Sequence, residues 1–177
     1  NLRTAAVPAL RDLVPAYPIL LLIFDPSQLA EEALRAAVTR VLEQAAAEAA
    51  GLPSPAKHHV VPVHYGGEYG PDLERVAAAH DLERSEVIQL HSQRQYKVAF
   101  LGFLPGFAYM MRLPRSLASA RLASPRQRVA AGSVGLAGLQ TGVYPFSSPG
   151  GWQIIGRTGV KVWDAAGSDP VLCLPGD

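Results

Sequence analysis

Hydrophobic and polar residues follow two different patterns along this chain, and the first of them predicts a strand followed by a long helix. The apolar run Tyr17–Phe24 has the length of a buried strand. Asp25 can cap a helix, and the proline after it suits the first helical position. Apolar residues then recur at helical spacing, so we predict a helix over Pro26–Ala50 that ends at Gly51.

Beyond the loop Leu52–Pro55, which we interpret as the domain boundary, helix and strand patterns alternate over shorter stretches. We predict a strand, a short helix, a second short helix capped by Ser85, and a second strand. In chain order these are Lys57–Tyr65, Pro71–His80, Ser85–His91 and Val98–Phe103.

After Pro105 the spacing changes again, because glycine and proline recur every few residues and the apolar runs between them are short and β-prone. Such spacing is typical of a small antiparallel barrel or sandwich. The runs are Ser133–Leu136, Gly142–Tyr144, Gln153–Ile155, Val160–Trp163 and Val171–Leu174. The predicted fold class is therefore α+β, with an N-terminal α+β domain over residues 1–56 and a β-rich domain over residues 57–177.

Composition narrows the choice of partners. The net charge is +1, and lysine and arginine are spread along the chain, which argues against a nucleic-acid groove or an anionic membrane surface. No apolar run has the length of a membrane span. Cys173 is the only cysteine, so we expect no internal disulfide, no thiolate metal site and a cytoplasmic location. Because the sequence begins with Asn1 and ends on a turn signal, we expect a longer gene product and an incomplete first domain.

The usual catalytic motifs are missing from the sequence. There is no GxxxxGK[ST] loop for ATP and no HExxH motif. His58 and His64 would share one face of a strand, but without a carboxylate or further histidine at ligand spacing we favour a polar strand face over a metal site. Ser133 follows a glycine in a tight turn and could be a nucleophile with His91 as its base, although a turn-forming serine is the favoured interpretation.

Turns in the C-terminal half carry the more informative chemistry. Gly102–Tyr109 places aromatic residues around a Pro-Gly turn, in which Gly106 should adopt positive φ. Ser148–Trp152 contains two adjacent glycines whose N–H groups could bind a carboxylate or an oxyanion. The alternative interpretations are that the aromatic residues of the first turn fill the core and that the second turn is an ordinary hairpin. We expect the working surface to lie on these turns and on the neighbouring turns Gly132–Val134 and Gln140–Pro145.

Several of these motifs, taken in chain order, together resemble one family. They are His64–Leu73, Gly102–Tyr109, Ser124–Arg126, Ala131–Val134, Gln140–Pro145, Ser148–Trp152 and Ile155–Thr158. This ordered set resembles the family called allophanate hydrolase subunit 1, or carboxyltransferase domain subdomains C and D, from about Leu13 to Asp177. The resemblance implies a cyclophilin-like β-barrel for residues 57–177.

The family resemblance also implies a function. The favoured interpretation is the B subunit of a 5-oxoprolinase, an amide-bond hydrolase that converts 5-oxo-L-proline to L-glutamate with ATP. It would be active only with a homologous C subunit, which is similar to allophanate hydrolase subunit 2, and with an A subunit of the lactam-utilisation type. No cofactor motif is present, so ATP is expected at the level of the complex. The alternatives are a KipI-like inhibitor of a histidine kinase and a carboxyltransferase-like component of urea or allophanate metabolism.

Site residues follow as hypotheses at positions that match the family. The catalytic candidates are His91, Gln140, Tyr144 and Arg157, and the substrate-binding candidates are Phe107, Tyr109, Arg126, Ser133, Gly150, Gly151 and Trp152. In this scheme His91 or Tyr144 moves a proton, and Arg126 or Arg157 holds a carboxylate or phosphate. Gln140 and the glycine N–H groups would polarise a carbonyl or phosphoryl oxygen, and the aromatic residues would wall the pocket. The turns Gly102–Tyr109 and Ser148–Trp152 should then face one cleft.

Overall fold

A computed structural model describes residues 9–16, 19–49 and 56–177 of the chain. The chain divides into two compact units, Asn1–Ala56 and Lys57–Asp177. Both units combine helix and strand, which confirms the predicted α+β class. Among the described residues, no helix is both long enough and apolar enough to cross a membrane.

The first unit contains an antiparallel hairpin followed by a helix. Its strands are β1 (Leu10–Ala16) and β2 (Ile19–Phe24), and its helix is α1 (Glu31–Ala49). The predicted helix start at Pro26 is wrong, because the Asp25 carboxylate accepts hydrogen bonds from the Ser27 N–H at 3.1 Å and the Ser27 hydroxyl at 2.6 Å. These bonds fold residues 25–28 into a turn.

Burial in the first unit also differs from the prediction. We expected β2 to be a buried strand, but Ile19, Leu21 and Ile23 are 69%, 55% and 45% exposed within the described chain. On α1, Leu34 and Val38 are buried. The predicted end of the helix at Ala50–Gly51, the loop Leu52–Pro55, and Tyr17 at the start of the predicted strand lie outside the described residues.

The second unit is built on a six-stranded antiparallel sheet with strand order β3-β10-β7-β8-β5-β4, and a separate pair joins β6 and β9. In chain order the strands are β3 (His64–Tyr65), β4 (Lys97–Leu101), β5 (Ala108–Met111), β6 (Arg126–Val129), β7 (Ser133–Ala137), β8 (Gln140–Val143), β9 (Ser148–Gly150) and β10 (Gln153–Arg157). In the described part of the chain, the end strands β3 and β4 are not paired with each other. The closed cyclophilin-like barrel therefore stays a prediction.

Three shorter helical segments accompany this sheet, namely α2 (Leu73–Ala79), α3 (Arg84–Ser92) and a 3-10 turn at Arg115–Leu117. The predicted cap at Ser85 is wrong. Glu83 caps α3 in a reciprocal arrangement with Glu86, whose carboxylate accepts the Glu83 N–H at 2.7 Å. The α2 helix packs against α3 and β10.

Three predicted strands in this unit are shorter than expected or absent. Of Lys57–Tyr65, only His64–Tyr65 pairs with a neighbour, and Pro62, which has no N–H to donate, lies just before that pair. The predicted strands Val160–Trp163 and Val171–Leu174 meet only at one isolated bridge, between Trp163 and Val171. The strands β5, β6 and β9 were not predicted.

Two hydrophobic clusters form the core of the second unit. The larger one joins α2 and α3 to the sheet, with Leu73, Val87, Leu136 and Ile155 fully buried. The second is an aromatic cluster of Phe107, Tyr144 and Trp152 together with Val129, Ala137 and Ile154. Between them, the two clusters contain residues of β5, β7, β8 and β10, the strands that bear the candidate residues Tyr109, Ser133, Gln140 and Arg157.

Candidate ligand-binding site

The second unit contains a cavity of about 510 Å³. Its volume lies in the range of small-molecule sites in proteins. Most of its wall is apolar, and the side chains that supply this wall are Val61, Val63, Val98, Met110, Val134, Val143 and Val162. The segment 57–63, residues at and after the end of α3, and Cys173 and Asp177 contribute to the lining as well.

A chain of polar side chains, Tyr65, His91 and Thr141, crosses the lining of this cavity. The Tyr65 hydroxyl lies 2.7 Å from Nδ1 of His91, and Nε2 of His91 lies 2.9 Å from the Thr141 hydroxyl. The Thr141 hydroxyl donates a hydrogen bond to the backbone carbonyl of Gly135 at 3.0 Å. The Tyr96 hydroxyl donates to the backbone carbonyl of His91 at 2.8 Å, which helps to hold the histidine in place.

Burial keeps two of these side chains, His91 and Tyr65, in their neutral forms at neutral pH. It lowers the pKa of His91 to about 4, so the imidazole is neutral at neutral pH. It also raises the pKa of Tyr65 to about 12, so the phenol keeps its hydrogen. Both side chains therefore act as neutral hydrogen-bonding groups.

The direction of each hydrogen bond in the Tyr65–His91–Thr141 series follows from the bond that Thr141 makes to the backbone. A carbonyl oxygen can only accept, so the single hydrogen of the Thr141 hydroxyl is used on Gly135. The threonine oxygen must then accept from Nε2–H of His91, which leaves Nδ1 without a hydrogen. Nδ1 accepts the hydroxyl hydrogen of Tyr65. The Tyr65 oxygen is left with lone pairs and no hydrogen to offer a ligand.

Charged residues at the cavity are mostly cationic. Lys57 and Arg94 line it with exposed side chains, and neither forms an ion pair within the described chain. Asp177 accepts hydrogen bonds from the backbone N–H groups of Leu174 and Lys57, each at 2.9 Å, and lies 3.3 Å from Nε2 of His59. These backbone bonds to Leu174 and Lys57 hold the pKa of the Asp177 carboxyl below its usual range. The lining thus has two positively charged side chains, Lys57 and Arg94, and one carboxylate, Asp177. This excess of positive charge favours an anionic ligand.

Of the predicted catalytic residues, only His91 lines this cavity. Tyr144 is 1% exposed, and its ring packs at 5.3 Å from Phe107 in the aromatic cluster. The Gln140 amide donates to the Met111 sulfur at 3.4 Å, and the Arg157 Nε donates to the Ala131 carbonyl at 2.9 Å. The structure thus separates His91 from the other three candidates.

Phe107 and Trp152 lie in the core, as the alternative interpretation had it, whereas Phe103 is 58% exposed and Tyr109 is partly buried; none of these four lines the cavity. Phe107 is 1% exposed and Trp152 is 4% exposed, with their ring centroids 5.3 Å apart. Tyr109 stacks on Phe100 with a centroid separation of 4.3 Å. Ser133 is buried at the start of β7 and also lies outside the cavity lining.

The turns Gly102–Tyr109 and Ser148–Trp152 meet through this aromatic cluster. Gly106, with the predicted positive φ of 76°, contributes to the cavity wall together with Ala108. No residue of Ser148–Trp152 lines the cavity. Gly150 pairs with Arg126 across β6 and β9, and the Gly151 carbonyl accepts the Leu122 N–H at 2.7 Å.

Arg126 belongs to a second polar cluster, which is centred on the buried carboxylate of Asp72. One Asp72 oxygen forms ion pairs with Arg75 and, at 2.6 Å, with Arg126, and the other oxygen accepts the Ile154 N–H at 2.6 Å. Gln153 accepts from Arg75 at 2.6 Å and extends the cluster. This cluster ties α2, β6 and β10 together, and Nη1 of Arg126 is buried without a hydrogen-bond partner in the described chain.

Sequence reasoning missed Tyr65, Thr141 and Asp72. All three lie inside motifs that carry the family resemblance, His64–Leu73 and Gln140–Pro145. A tyrosine or threonine in a strand is ordinary, however, and nothing local indicated that either would meet His91. Among the described residues, no group of three or more histidine, cysteine, aspartate or glutamate side chains is placed to hold a metal ion.

The second unit thus places a largely apolar cavity, whose charged lining residues are mostly cationic, beside an antiparallel sheet. Residues 1–173 match the model of the family described as "Carboxyltransferase domain, subdomain C and D", and the chain belongs to this family.

Curated relatives and a solved structure agree with this assignment. The chain is 53% identical over 117 residues to the B subunit of 5-oxoprolinase from Escherichia coli O157:H7, a match that covers 66% of the chain and 54% of that protein. It is 50% identical over 117 residues to the 5-oxoprolinase B subunit of Bacillus subtilis (strain 168), which covers 66% of the chain and 49% of that protein. The chain thus spans about half the length of these relatives. A crystal structure of a conserved uncharacterized protein from Pyrococcus horikoshii is similar, with a TM-score of 0.66, 43% identity and coverage of 99% of this chain and 79% of that one.

Proposed function

We propose that this chain is part of the B subunit of an ATP-dependent 5-oxoprolinase, the enzyme that opens 5-oxo-L-proline to L-glutamate. The proposal rests on the sequence identity of this chain, 53% and 50% over 117 residues, to proteins named as the B subunit of 5-oxoprolinase in two different bacteria. No observation favours a kinase inhibitor or a component of urea or allophanate metabolism over this assignment.

The polar groups of the cavity support a binding role for this chain, with chemistry shared between subunits. Both nitrogens of His91 are engaged in hydrogen bonds, and its lowered pKa makes it a weak base, so it is better suited to orient Tyr65 than to move a proton. The predicted amide hydrolase would accordingly need groups from a homologous C subunit and from an A subunit of the lactam-utilisation type. ATP would bind at the level of that complex, since this chain has no P-loop motif.

Two finer expectations belong to the same proposal. The six-stranded sheet, with β6 and β9 paired beside it, is compatible with a cyclophilin-like barrel, as the family resemblance implies. A cytoplasmic location is expected for an ATP-dependent enzyme whose described part has a single free cysteine, Cys173.

Reconstitution of the complex tests the proposal. The full-length protein would be co-expressed with its candidate C and A subunits, and release of glutamate from 5-oxo-L-proline would be measured with and without ATP. We expect glutamate only when ATP and all required subunits are present. A folded, stable complex that releases no glutamate would refute the 5-oxoprolinase assignment, and turnover by the isolated protein would refute the partner requirement.

A further inference from the structure

We propose that the cavity is the lactam-binding site: the oxygen of Tyr65 accepts the ring N–H of the substrate, and the cationic side of the cavity, Lys57 and Arg94, holds its carboxylate. The inference rests on the proposed function for the identity of the lactam. The cavity itself indicates a small ligand with an N–H donor, an apolar edge and an anionic group.

The direction of the hydrogen bond at Tyr65 determines which ligand group this side chain can accept. The hydroxyl hydrogen is used on His91, whose own N–H is used on Thr141, whose hydrogen is used on a backbone carbonyl. The Tyr65 oxygen therefore offers lone pairs only. A ligand N–H satisfies it, whereas a ring oxygen at the same place would put two sets of lone pairs against each other. His91 is a positioning residue in this scheme, because it acts through Tyr65.

The cavity lining contains both apolar side chains and exposed cationic side chains. A five-membered lactam has two methylene groups on one edge and a carboxylate on a neighbouring carbon. Val134, Val143 and Val162 offer apolar surface for the methylene edge. Lys57 and Arg94 offer charge that no acidic side chain of the described chain neutralises by an ion pair. Because both are exposed, their attraction for the carboxylate should weaken as salt is raised.

The cavity, at about 510 Å³, is larger than one such ring requires. The remaining space would let a reacting group of a partner protein reach the amide carbonyl. This agrees with a chain that orients the substrate and does not cleave it alone.

Binding of matched ligands tests the role of Tyr65. The full-length protein, alone and in its complex, would be titrated by calorimetry with 5-oxo-L-proline and with its lactone analogue, 5-oxotetrahydrofuran-2-carboxylate, which has oxygen in place of the ring N–H. We expect the lactam to bind about tenfold more tightly, since a hydrogen bond that cannot form leaves the tyrosine oxygen unsatisfied. In Tyr65→Phe this preference should fall to about twofold or less.

Tyr69→Phe is the control for that variant, because it removes a hydroxyl outside the cavity lining and should keep the lactam preference. Tyr96→Phe tests the choice of acceptor, since the Tyr96 hydroxyl also lines the cavity and uses its hydrogen on the His91 carbonyl. Loss of the lactam preference in Tyr96→Phe but not in Tyr65→Phe would show that Tyr65 is not the acceptor. If the Tyr65 variant does not fold, the double variant Lys57→Gln/Arg94→Gln replaces it. That variant should bind 5-oxoproline several-fold more weakly and leave the affinity for the neutral 5-oxoprolinamide unchanged.

Failure of this inference can be told apart from failure of the proposed function. If the complex releases glutamate but neither ligand preference nor KM changes in Tyr65→Phe, the cavity inference is wrong and the function stands. The same conclusion follows if the complex is active and 5-oxoproline does not bind this chain. If the lactam binds with the expected preference and no glutamate forms, the site stands and the 5-oxoprolinase assignment is wrong.

Discussion

His91 is the residue whose ionisation should be most visible in stability. Its pKa is about 4 in the folded chain and near 6.5 when the chain unfolds, so the unfolded state binds more protons between these values. The free energy of unfolding should therefore fall as pH is lowered through this window. The expected loss between pH 7.5 and 4.5 is about 2–3 kcal/mol from this histidine.

Chemical denaturation of wild type and His91→Gln at the two pH values measures that loss. The variant should be less stable at pH 7.5, because Tyr65 and Thr141 lose their partner, but its stability should depend less on pH. The difference between the two pH dependences isolates the histidine from the carboxyl groups, which both proteins share. Equal pH dependence in wild type and variant would show that His91 is not buried as a neutral group.

Among the charged side chains of the second unit, Asp72 should contribute most to the free energy of unfolding. Replacing it by Asn removes the charge that Arg75 and Arg126 share, and leaves two guanidinium groups beside each other. We expect a loss of about 3 kcal/mol in the free energy of unfolding. The matched control is Glu74→Gln, since Glu74 pairs with Arg84 through side chains that are 72% and 62% exposed. That change should cost less than about 0.5 kcal/mol.

At the scale of elements, the sequence pattern located most strands and helices but not their pairing. The apolar run at Ile19–Phe24 and the short run at Ser133–Leu136 both became strands, because each consists of residues that favour extended backbone. By contrast, β6 and β9 contain Arg126 and Pro149, which favour no strand by themselves. They are strands because they pair with each other, a contact that depends on chain segments distant in sequence.

The turn before β7 contains a glycine that this element requires. Gly132 has a φ of 77°, and a Cβ there would lie 2.1 Å from the carbonyl oxygen of Thr158. Gly132→Ala should therefore destabilise the chain by about 2 kcal/mol or more, through both backbone strain and a backbone clash. Gly159→Ala is the control, since a Cβ at that position meets nothing within 4 Å. Similar unfolding midpoints for the two variants would contradict the geometry of this turn.

For the whole molecule, the second unit has a core of its own. Leu73, Leu136 and Ile155 are fully buried within it, as are Tyr144 and Phe107 of the aromatic cluster. We predict that a fragment of residues 57–177 folds alone and unfolds in one cooperative transition. Circular dichroism and tryptophan fluorescence should give the same denaturation midpoint, and a broad or probe-dependent transition would contradict an independent core.

The candidate site shows how far the sequence could predict function. His91 was chosen because histidine is the usual proton carrier, and it does line the cavity. Phe107 and Trp152 were assigned to the pocket, but burying their large apolar rings is worth more than exposing them, so both lie in the core. Tyr65 and Thr141 could not be found in this way, since each is significant only through a hydrogen bond to a residue at least 26 positions distant.

The main-chain oxygen of Gly135 gives the site an unusual resistance to change. A backbone carbonyl belongs to residue 135 whatever its side chain, so no substitution there can turn it into a donor. As long as the Thr141 hydroxyl donates to this carbonyl, His91 and Tyr65 keep the same hydrogen-bond directions. Substitutions in the cavity walls can then change the size of the ligand without reversing these directions. To reverse this polarity, the hydrogen-bond series would have to be interrupted at Thr141, for example by Thr141→Val. Without the threonine hydroxyl, His91 could take its other tautomer and Tyr65 could become a donor.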